Sequence, residues 1–150
     1  MTSRQHSARF SAAEAEAWGG LLATFARLDR AVDQDLQTHD GISHSEYEVL
    51  LRLSWAEGWR MRINDLAEAS LLTRSGVSRL INRLEREGLV KRETAPEDRR
   101  GSYAVMTQAG HDAFRRALTR HVAFVRERFH SRLTEAELST LASVWQKLRD

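Results

Sequence analysis

The 150-residue chain contains no cysteine and only one proline, Pro96. Without cysteine it has neither a disulfide framework nor a thiol switch. A single proline is typical of an architecture of long helices, because proline interrupts them. No apolar run approaches the roughly 18 residues of a membrane span, and residues 1–10 lack the apolar core of a signal peptide. We therefore expect a cytoplasmic protein with no membrane partner.

Net charge is only +2, yet the charges are unevenly distributed along what the length predicts to be one domain. Residues 11–70 carry 5 basic and 11 acidic residues, a net of −6, whereas residues 74–100 carry 8 basic and 5 acidic, a net of +3. Of the 23 basic residues only Lys91 and Lys147 are lysine. The arginine excess suits bidentate recognition, although a GC-rich genome accounts for most of it. An anionic partner is therefore expected at the middle segment.

A helix predicted over about residues 74–87 has two chemically different faces. Val77, Leu80, Ile81 and Leu84 recur at the spacing of one buried stripe. Polar and basic residues occupy the other side: Arg74, Ser75, Ser78, Arg79, Asn82, Arg83 and Arg86. Serine and asparagine are mediocre helix formers but bind base edges and phosphates well. Taken alone, the pattern fits either a DNA-binding face or a solvated charged face.

The preceding residues favour the DNA-binding interpretation. A short helix is predicted over about residues 64–70, with Asn64 as its N-cap. Residues 71–73 then form a turn of the length found in helix-turn-helix motifs, and Thr73 caps the second helix. Gly88 is expected to end that helix.

Two segments of strand composition follow, at residues 89–94 and 102–106, with a turn at residues 95–101 between them. A hairpin behind a recognition helix is a wing, and arginine at its tip can enter a narrow minor groove. Arg100 is the first candidate for that contact and Arg99 the second. Asp98 is expected to orient one of them, because a lone carboxylate would be repelled by phosphate.

Helices are also predicted on both sides of this module, over residues 12–38, 44–56, 107–130 and 135–149. Three of them are preceded by the capping-box spacing of Ser or Thr and Glu: Ser11 with Glu14, Ser43 with Glu46, and Thr134 with Glu137. The apolar stripes of the terminal helices exceed what so small a module can cover. We expect residues 11–38 and 108–150 to pair across a two-fold axis; an intrachain helical hairpin is the alternative.

Other chemistry has less support. The chain has no nucleophile–base set, no phosphate loop and no metal-ligand spacing such as H-E-x-x-H. His39, His44 and His111 could approach one another and sense zinc, but surface or capping roles are the better explanation. We predict no catalytic residue, metal or cofactor. A crevice for an effector is predicted between the terminal helices and the module, lined by Trp18, Phe25, His44, Tyr47, Trp55, His111 and Arg115.

Several motifs together resemble the MarR family of bacterial transcription regulators. They are T-R-S-G-V-S-R-L at 73–80, E-R-E-G-L-V at 85–90, D-R-R at 98–100, and Thr107 followed by Gly110. The resemblance covers about residues 12–148. It implies a mainly α fold with a small β-hairpin wing, that is, a winged helix-turn-helix at about residues 44–107 flanked by N- and C-terminal dimerisation helices.

The resemblance also implies a homodimer that binds a pseudo-palindromic operator, commonly as a repressor released by a small aromatic or anionic effector. The residues expected to read bases are Arg74, Ser75, Ser78, Arg79 and Asn82, beside the capping Thr73. Arg83 and Arg86 are assigned to phosphates. Two hypotheses from other classes stay open: a non-specific architectural DNA-binding protein and a protein–protein adaptor.

Overall fold

The structure, a computed structural model, describes residues 9–70, 72–96 and 98–149, with only the backbone of residues 98–100. Within these ranges the chain is mainly helical and carries one small sheet. The helices are α1 (Ala12–Asp40), α2 (His44–Trp55), α3 (Ile63–Ala69), α4 (Arg74–Arg86), α5 (Gln108–Arg128) and α6 (Glu135–Lys147). The strands are β1 (Arg60–Arg62), β2 (Val90–Ala95) and β3 (Asp98–Met106).

Local hydrogen bonds fix where the helices begin. All three predicted capping boxes are present, at the starts of α1, α2 and α6. Thr73 caps α4 by accepting a hydrogen bond from the Gly76 amide at 3.1 Å. Thr107 caps α5 in the same way through Gly110, at 3.0 Å. These side chains satisfy amides that have no partner inside the helix.

The predicted cap of α3 is wrong. Its N-cap residue is Arg62, and no side chain caps it. Asn64 lies inside the helix, because strand β1 leads directly into α3 and leaves no residue between them. The predicted turn at residues 71–73 lies partly outside the described residues, since residue 71 is not among them.

The sheet has three strands in the antiparallel order β1-β3-β2, where the sequence predicted two. Strand β1 pairs Arg60 with Val105 and Arg62 with Tyr103. The hairpin turn is also shorter than predicted, because β3 already begins at Asp98, which is paired with Ala95. The D-R-R residues are thus part of a strand rather than a loop.

The core joins the DNA module to the inner ends of α1 and α5. It contains Leu36 from α1, Leu50 from α2, Ile81 from α4 and Phe114 from α5. By contrast, Trp55, which the sequence assigned to the effector crevice, is 74% exposed, because α2 ends there and the chain turns away through Ala56.

The outer half of α1 lies outside this core. Trp18, Leu22 and Phe25 from the predicted apolar stripe are 54%, 49% and 61% exposed, whereas Val32 and Leu36 farther along the same helix are buried. Leu148, after α6, is 70% exposed. The single chain therefore presents an uncovered apolar surface at its terminal helices. No helix in the described residues is both long and apolar enough to cross a membrane.

Candidate nucleic-acid interface

Helix α4 presents the polar face that the sequence predicted. Val77, Ile81 and Leu84 are fully buried, which fixes the rotation of the helix about its axis. The opposite side is exposed at Arg74, Ser75, Arg79, Asn82, Arg83 and Arg86, and Ser78 is partly buried. The packing of one stripe therefore decides which side chains can reach a ligand.

The arginines of α4 differ in whether their side chains already contact other groups of the protein. Arg74 and Arg86 have no ion-pair partner among the described side chains. The Nε of Arg79 donates to the backbone oxygen of Ser75 at 3.4 Å, one turn earlier on the same helix. This bond leaves both terminal nitrogens of Arg79 available, and two donors side by side suit guanine O6 and N7.

Arg83 contacts the protein itself. Its Nε lies 3.0 Å from Oε1 of Glu46, which is fully buried at the start of α2, and 3.4 Å from Oε1 of Glu87. The contact with Glu46 is an ion pair without the alignment of a hydrogen bond. Glu46 also closes the capping box, since its Oε2 accepts from the Ser43 amide at 2.7 Å. Arg83 thus links the recognition helix to α2.

The sequence did not identify Arg92 of strand β2 as part of this face. Its Nη2 donates to Asn82 Oδ1 at 2.5 Å, and to the backbone oxygen and Oγ of Ser78 at 3.3 and 3.4 Å. Its Nε lies 3.5 Å from Oε2 of Glu85. Two of the predicted base-reading side chains therefore lie against the wing strand. In the sequence, only the i and i+4 spacing of Ser78 and Asn82 on one helix face indicated that they could share a partner.

The T-x-x-G motif holds the base of the wing against the end of α4. Thr107 Oγ1 donates to the backbone oxygen of Gly88 at 2.7 Å. The backbone at Gly110 is so close to Leu89 that an added Cβ would lie 2.0 Å from the Leu89 carbonyl oxygen. Gly88 itself adopts a φ of 73° where the chain leaves α4. Asp98, Arg99 and Arg100 lie in β3 beyond this base, and their side chains are outside the described residues.

Comparisons with known proteins identify the fold and the family. A family model described as MarR family matches residues 40–101. AbsC, a MarR family transcriptional regulator from Streptomyces coelicolor, is 35% identical with a TM-score of 0.88, over 95% of this chain and 96% of AbsC. The chain belongs to the MarR family. This confirms the predicted resemblance and the winged helix-turn-helix fold, and it makes the protein a transcriptional regulator rather than an enzyme.

Two further solved structures of transcriptional regulators are similar to this chain; the first is also described as MarR family. Sco3205, also from Streptomyces coelicolor, was solved in complex with DNA; it is 31% identical with a TM-score of 0.88, over 94% of this chain and 89% of its own. The organohalide-sensing regulator RdhR-CbdbA1625, in its 2,4-dichlorophenol-bound form, has a TM-score of 0.81 over 99% of this chain and 88% of its own. At 18% identity the second likeness shows the shared fold alone.

Part of the predicted effector crevice forms a ring cluster between α2 and α5. Tyr47 lies with its ring centroid 4.6 Å from that of His121 and 5.6 Å from that of Phe114. His44 Nδ1 is 2.7 Å from Asp29 Oδ1 of α1. Burial raises the pKa of Tyr47 to about 12, so its hydroxyl stays neutral. His121 was missed, because a lone histidine on an apolar stripe carries no motif.

The remaining predicted crevice residues lie apart from this cluster. His111 stacks on Trp59 with centroids 4.2 Å apart, at the other end of the α2–α5 contact. Arg115 is exposed on α5. Trp18, Phe25 and Trp55 are each more than half exposed, so a single protomer encloses none of them.

Three side chains near the α2–α5 contact have buried nitrogens without a hydrogen-bond partner in the described part of the chain: Arg52 Nε, His111 Nδ1 and His121 Nδ1. Burial lowers the pKa of His121, and the nearby His44 adds to this effect. Among the described residues, no group of three or more His, Asp or Glu side chains is arranged to bind a metal ion.

Proposed function

We propose that this MarR family protein is a homodimeric repressor that recognises a specific DNA operator through α4 and its wing. The observation that carries the proposal is the exposed face of α4, where Arg74, Arg79 and Arg86 project beside Ser75 and Asn82. Arg79 and its neighbours would enter the major groove. Arg100, with Arg99 as second candidate, would enter the adjacent minor groove, oriented by Asp98.

The charge pattern of this face supports DNA over a merely solvated helix. The two acidic residues near its C-terminal end each lie beside an arginine of the protein, Glu85 beside Arg92 and Glu87 beside Arg83. Arg74 and Arg86 keep uncompensated positive charge among the described residues. Phosphates attract such charge, so Arg86 would position the helix, while Arg74 and Arg79 would discriminate between bases.

The dimer is proposed from the uncovered apolar surface of the terminal helices. Trp18, Leu22 and Phe25 project from α1, and exposed apolar groups of this size are costly unless a partner covers them. A two-fold axis through this surface would repeat α4 about 34 Å away, one turn of B-DNA. The operator would then be pseudo-palindromic.

The ring cluster between α2 and α5 is the proposed site for a small aromatic or anionic effector. Tyr47 and His121 supply flat surfaces, and the Nδ1 of His121 is buried without a hydrogen-bond partner. An aromatic anion could stack on the rings and accept a hydrogen bond from this nitrogen. Such a ligand would touch α2, from which Glu46 reaches Arg83 of the recognition helix.

The deciding experiment is fluorescence anisotropy with DNA from upstream of the protein's own gene and a random duplex of equal length, at physiological salt. A preference of about a thousandfold or more is expected for a specific regulator. Equal binding to both would support the architectural hypothesis, after a genome-wide selection has excluded a remote operator. Failure to bind either duplex at reduced salt would favour the adaptor hypothesis.

A further inference from the structure

We infer that Arg92 orients the Asn82 amide of the recognition helix, so that the NH₂ donor of Asn82 rather than its oxygen faces DNA. Arg92 is in this sense a positioning residue that determines specificity without itself reading a base. The inference rests on the proposed function, since it says which bases that helix would select.

Arg92 is held in place independently of DNA. It lies in the middle of β2, paired in register with Ala104 of β3, so the sheet fixes its backbone. Its own amide donates to Glu85 Oε1 at 3.3 Å, and its Nε lies 3.5 Å from Oε2 of the same carboxylate. With its backbone and its Nε both fixed, the end of the guanidinium meets Asn82 and Ser78 in a defined orientation.

The chemistry of the guanidinium decides which way the Asn82 amide faces. Arginine has only donors, so the atom of Asn82 that meets Nη2 must be the oxygen. The amide NH₂ of Asn82 then projects away from Arg92. Ser78 Oγ also accepts from Nη2, at 3.4 Å, but it keeps both its own hydrogen and a second lone pair. Arg92 therefore fixes the donor direction of Asn82 and not that of Ser78.

This orientation of the amide changes the expected base preference at Asn82. Asparagine usually recognises adenine through two bonds at once, with its oxygen accepting from N6 and its nitrogen donating to N7. With the oxygen end of the amide turned toward Arg92, the NH₂ end faces the base, so the bond from N6 is not made and that amino group meets the Asn82 donor. Guanine O6 and thymine O4 are acceptors at the corresponding edge. Asn82 should therefore accept guanine and thymine on the same strand and disfavour adenine and cytosine.

The test uses a duplex selected from a random-sequence library by the wild-type protein, with each half-site base pair then varied in turn. Asn82→Ala identifies the base pair that Asn82 reads, as the position where preference is lost. At that pair the wild type is expected to bind guanine and thymine on one strand about five- to tenfold better than adenine or cytosine. Preference there for adenine alone would overturn the inference, and this measurement needs no change at Arg92.

The second arm compares Arg92→Met with Lys91→Met. Each removes one positive charge from β2, but Lys91 pairs with Glu93 rather than with α4. Arg92→Met should free the Asn82 oxygen, bring adenine to parity or better at the same base pair and leave the other positions unchanged. Lys91→Met should keep the wild-type pattern.

A correctly folded Arg92→Met protein with the wild-type pattern would contradict the inference, as would the same shift of preference in the Asn82→Ala background. If the wild type selects no sequence at all, the proposed function fails first and this inference fails with it. The two failures are therefore distinguishable.

Discussion

The carboxylate of Glu46 and the guanidinium of Arg83 lie 3.0 Å apart, and they connect the start of α2 with the last turn of the recognition helix. Glu46 is fully buried, while Arg83 is about half exposed. A buried carboxylate that loses its cation is costly, because neither water nor another charge replaces the lost partner. Arg83, which the sequence assigned to a DNA phosphate, therefore makes a structural contact within the protein.

The first prediction separates the two arginines that the sequence assigned to phosphates. Arg83→Met should lower the free energy of unfolding by roughly 1–3 kcal/mol, since it leaves Glu46 Oε1 without a partner. Arg86→Met, with no ion-pair partner among the described residues, should change it by less than about 0.5 kcal/mol. Urea unfolding at fixed protein concentration measures both.

Glu46→Gln provides the control for this prediction. Glutamine keeps an oxygen that can accept from the Ser43 amide, but it carries no charge. In combination with Arg83→Met it should recover much of the lost stability. If Arg83→Met proves as stable as Arg86→Met, the ion pair contributes nothing measurable and Arg83 is better regarded as a phosphate contact.

The second prediction concerns base recognition by Arg79. Arg79→Ala should weaken operator binding by about 1–3 kcal/mol and relax selection at one base pair per half-site, because two parallel donors are lost. Anisotropy titrations on the operator and its single-base variants measure both effects. Arg126→Ala, which removes the same charge from the exposed side of α5, is the matched control. Unchanged affinity together with unchanged base preference would refute the assignment.

The third prediction tests the close contact at Gly110. A Cβ there would lie 2.0 Å from the Leu89 oxygen and 2.9 Å from the Met106 Cγ, so the wing base would have to move. Gly110→Ala should cost about 2–3 kcal/mol or more. Gly20→Ala, where nothing lies within 4 Å inside α1, should instead stabilise by about 0.5–1 kcal/mol. Thermal unfolding of both variants measures these changes in stability. If Gly110→Ala leaves the stability unchanged, the Leu89 carbonyl can move away from residue 110 at little cost.

The sequence predicted those features that depend on residues within about one helical turn of each other. Thr73 was recognised as a cap because the hydrogen bond it makes reaches only to Gly76. The buried stripe of α4 followed from the spacing of Val77, Ile81 and Leu84. The T-x-x-G motif, which the sequence analysis used as a family pattern, also contains a local contact: the Gly110 amide donates a hydrogen bond to Thr107 Oγ1.

The sequence did not predict features that depend on contacts between residues far apart along the chain. Strand β1 is three residues long and exists because β3 pairs with it, about forty residues later; no periodicity in Arg60–Arg62 announces it. Arg92 looked like any arginine on a strand, and only the packing of the wing on α4 brings it to Asn82. Glu46 was identified as a cap but not as the partner of Arg83.

The last prediction follows from His121, whose pKa is lowered by burial and then by the neighbouring His44, against weaker opposing effects of Glu48 and Asp35. The folded chain therefore binds a proton at His121 less readily than the unfolded chain, in which the imidazole has its ordinary pKa of about 6.5. Above that pH the neutral ring favours the folded state in full. As the pH falls below about 6.5 toward the lowered pKa, the unfolded chain takes up the proton first and stability is lost.

His121→Phe removes this titration while keeping a flat ring against Tyr47. The loss of unfolding free energy between about pH 8 and pH 5.5 should accordingly be smaller in His121→Phe than in the wild type. His130→Gln, an exposed histidine beyond α5, should leave the wild-type dependence intact. Equal pH dependence in all three proteins would show that the His121 ring is reached by water, and would remove it from the proposed effector site, whose stacking depends on a dry, neutral ring.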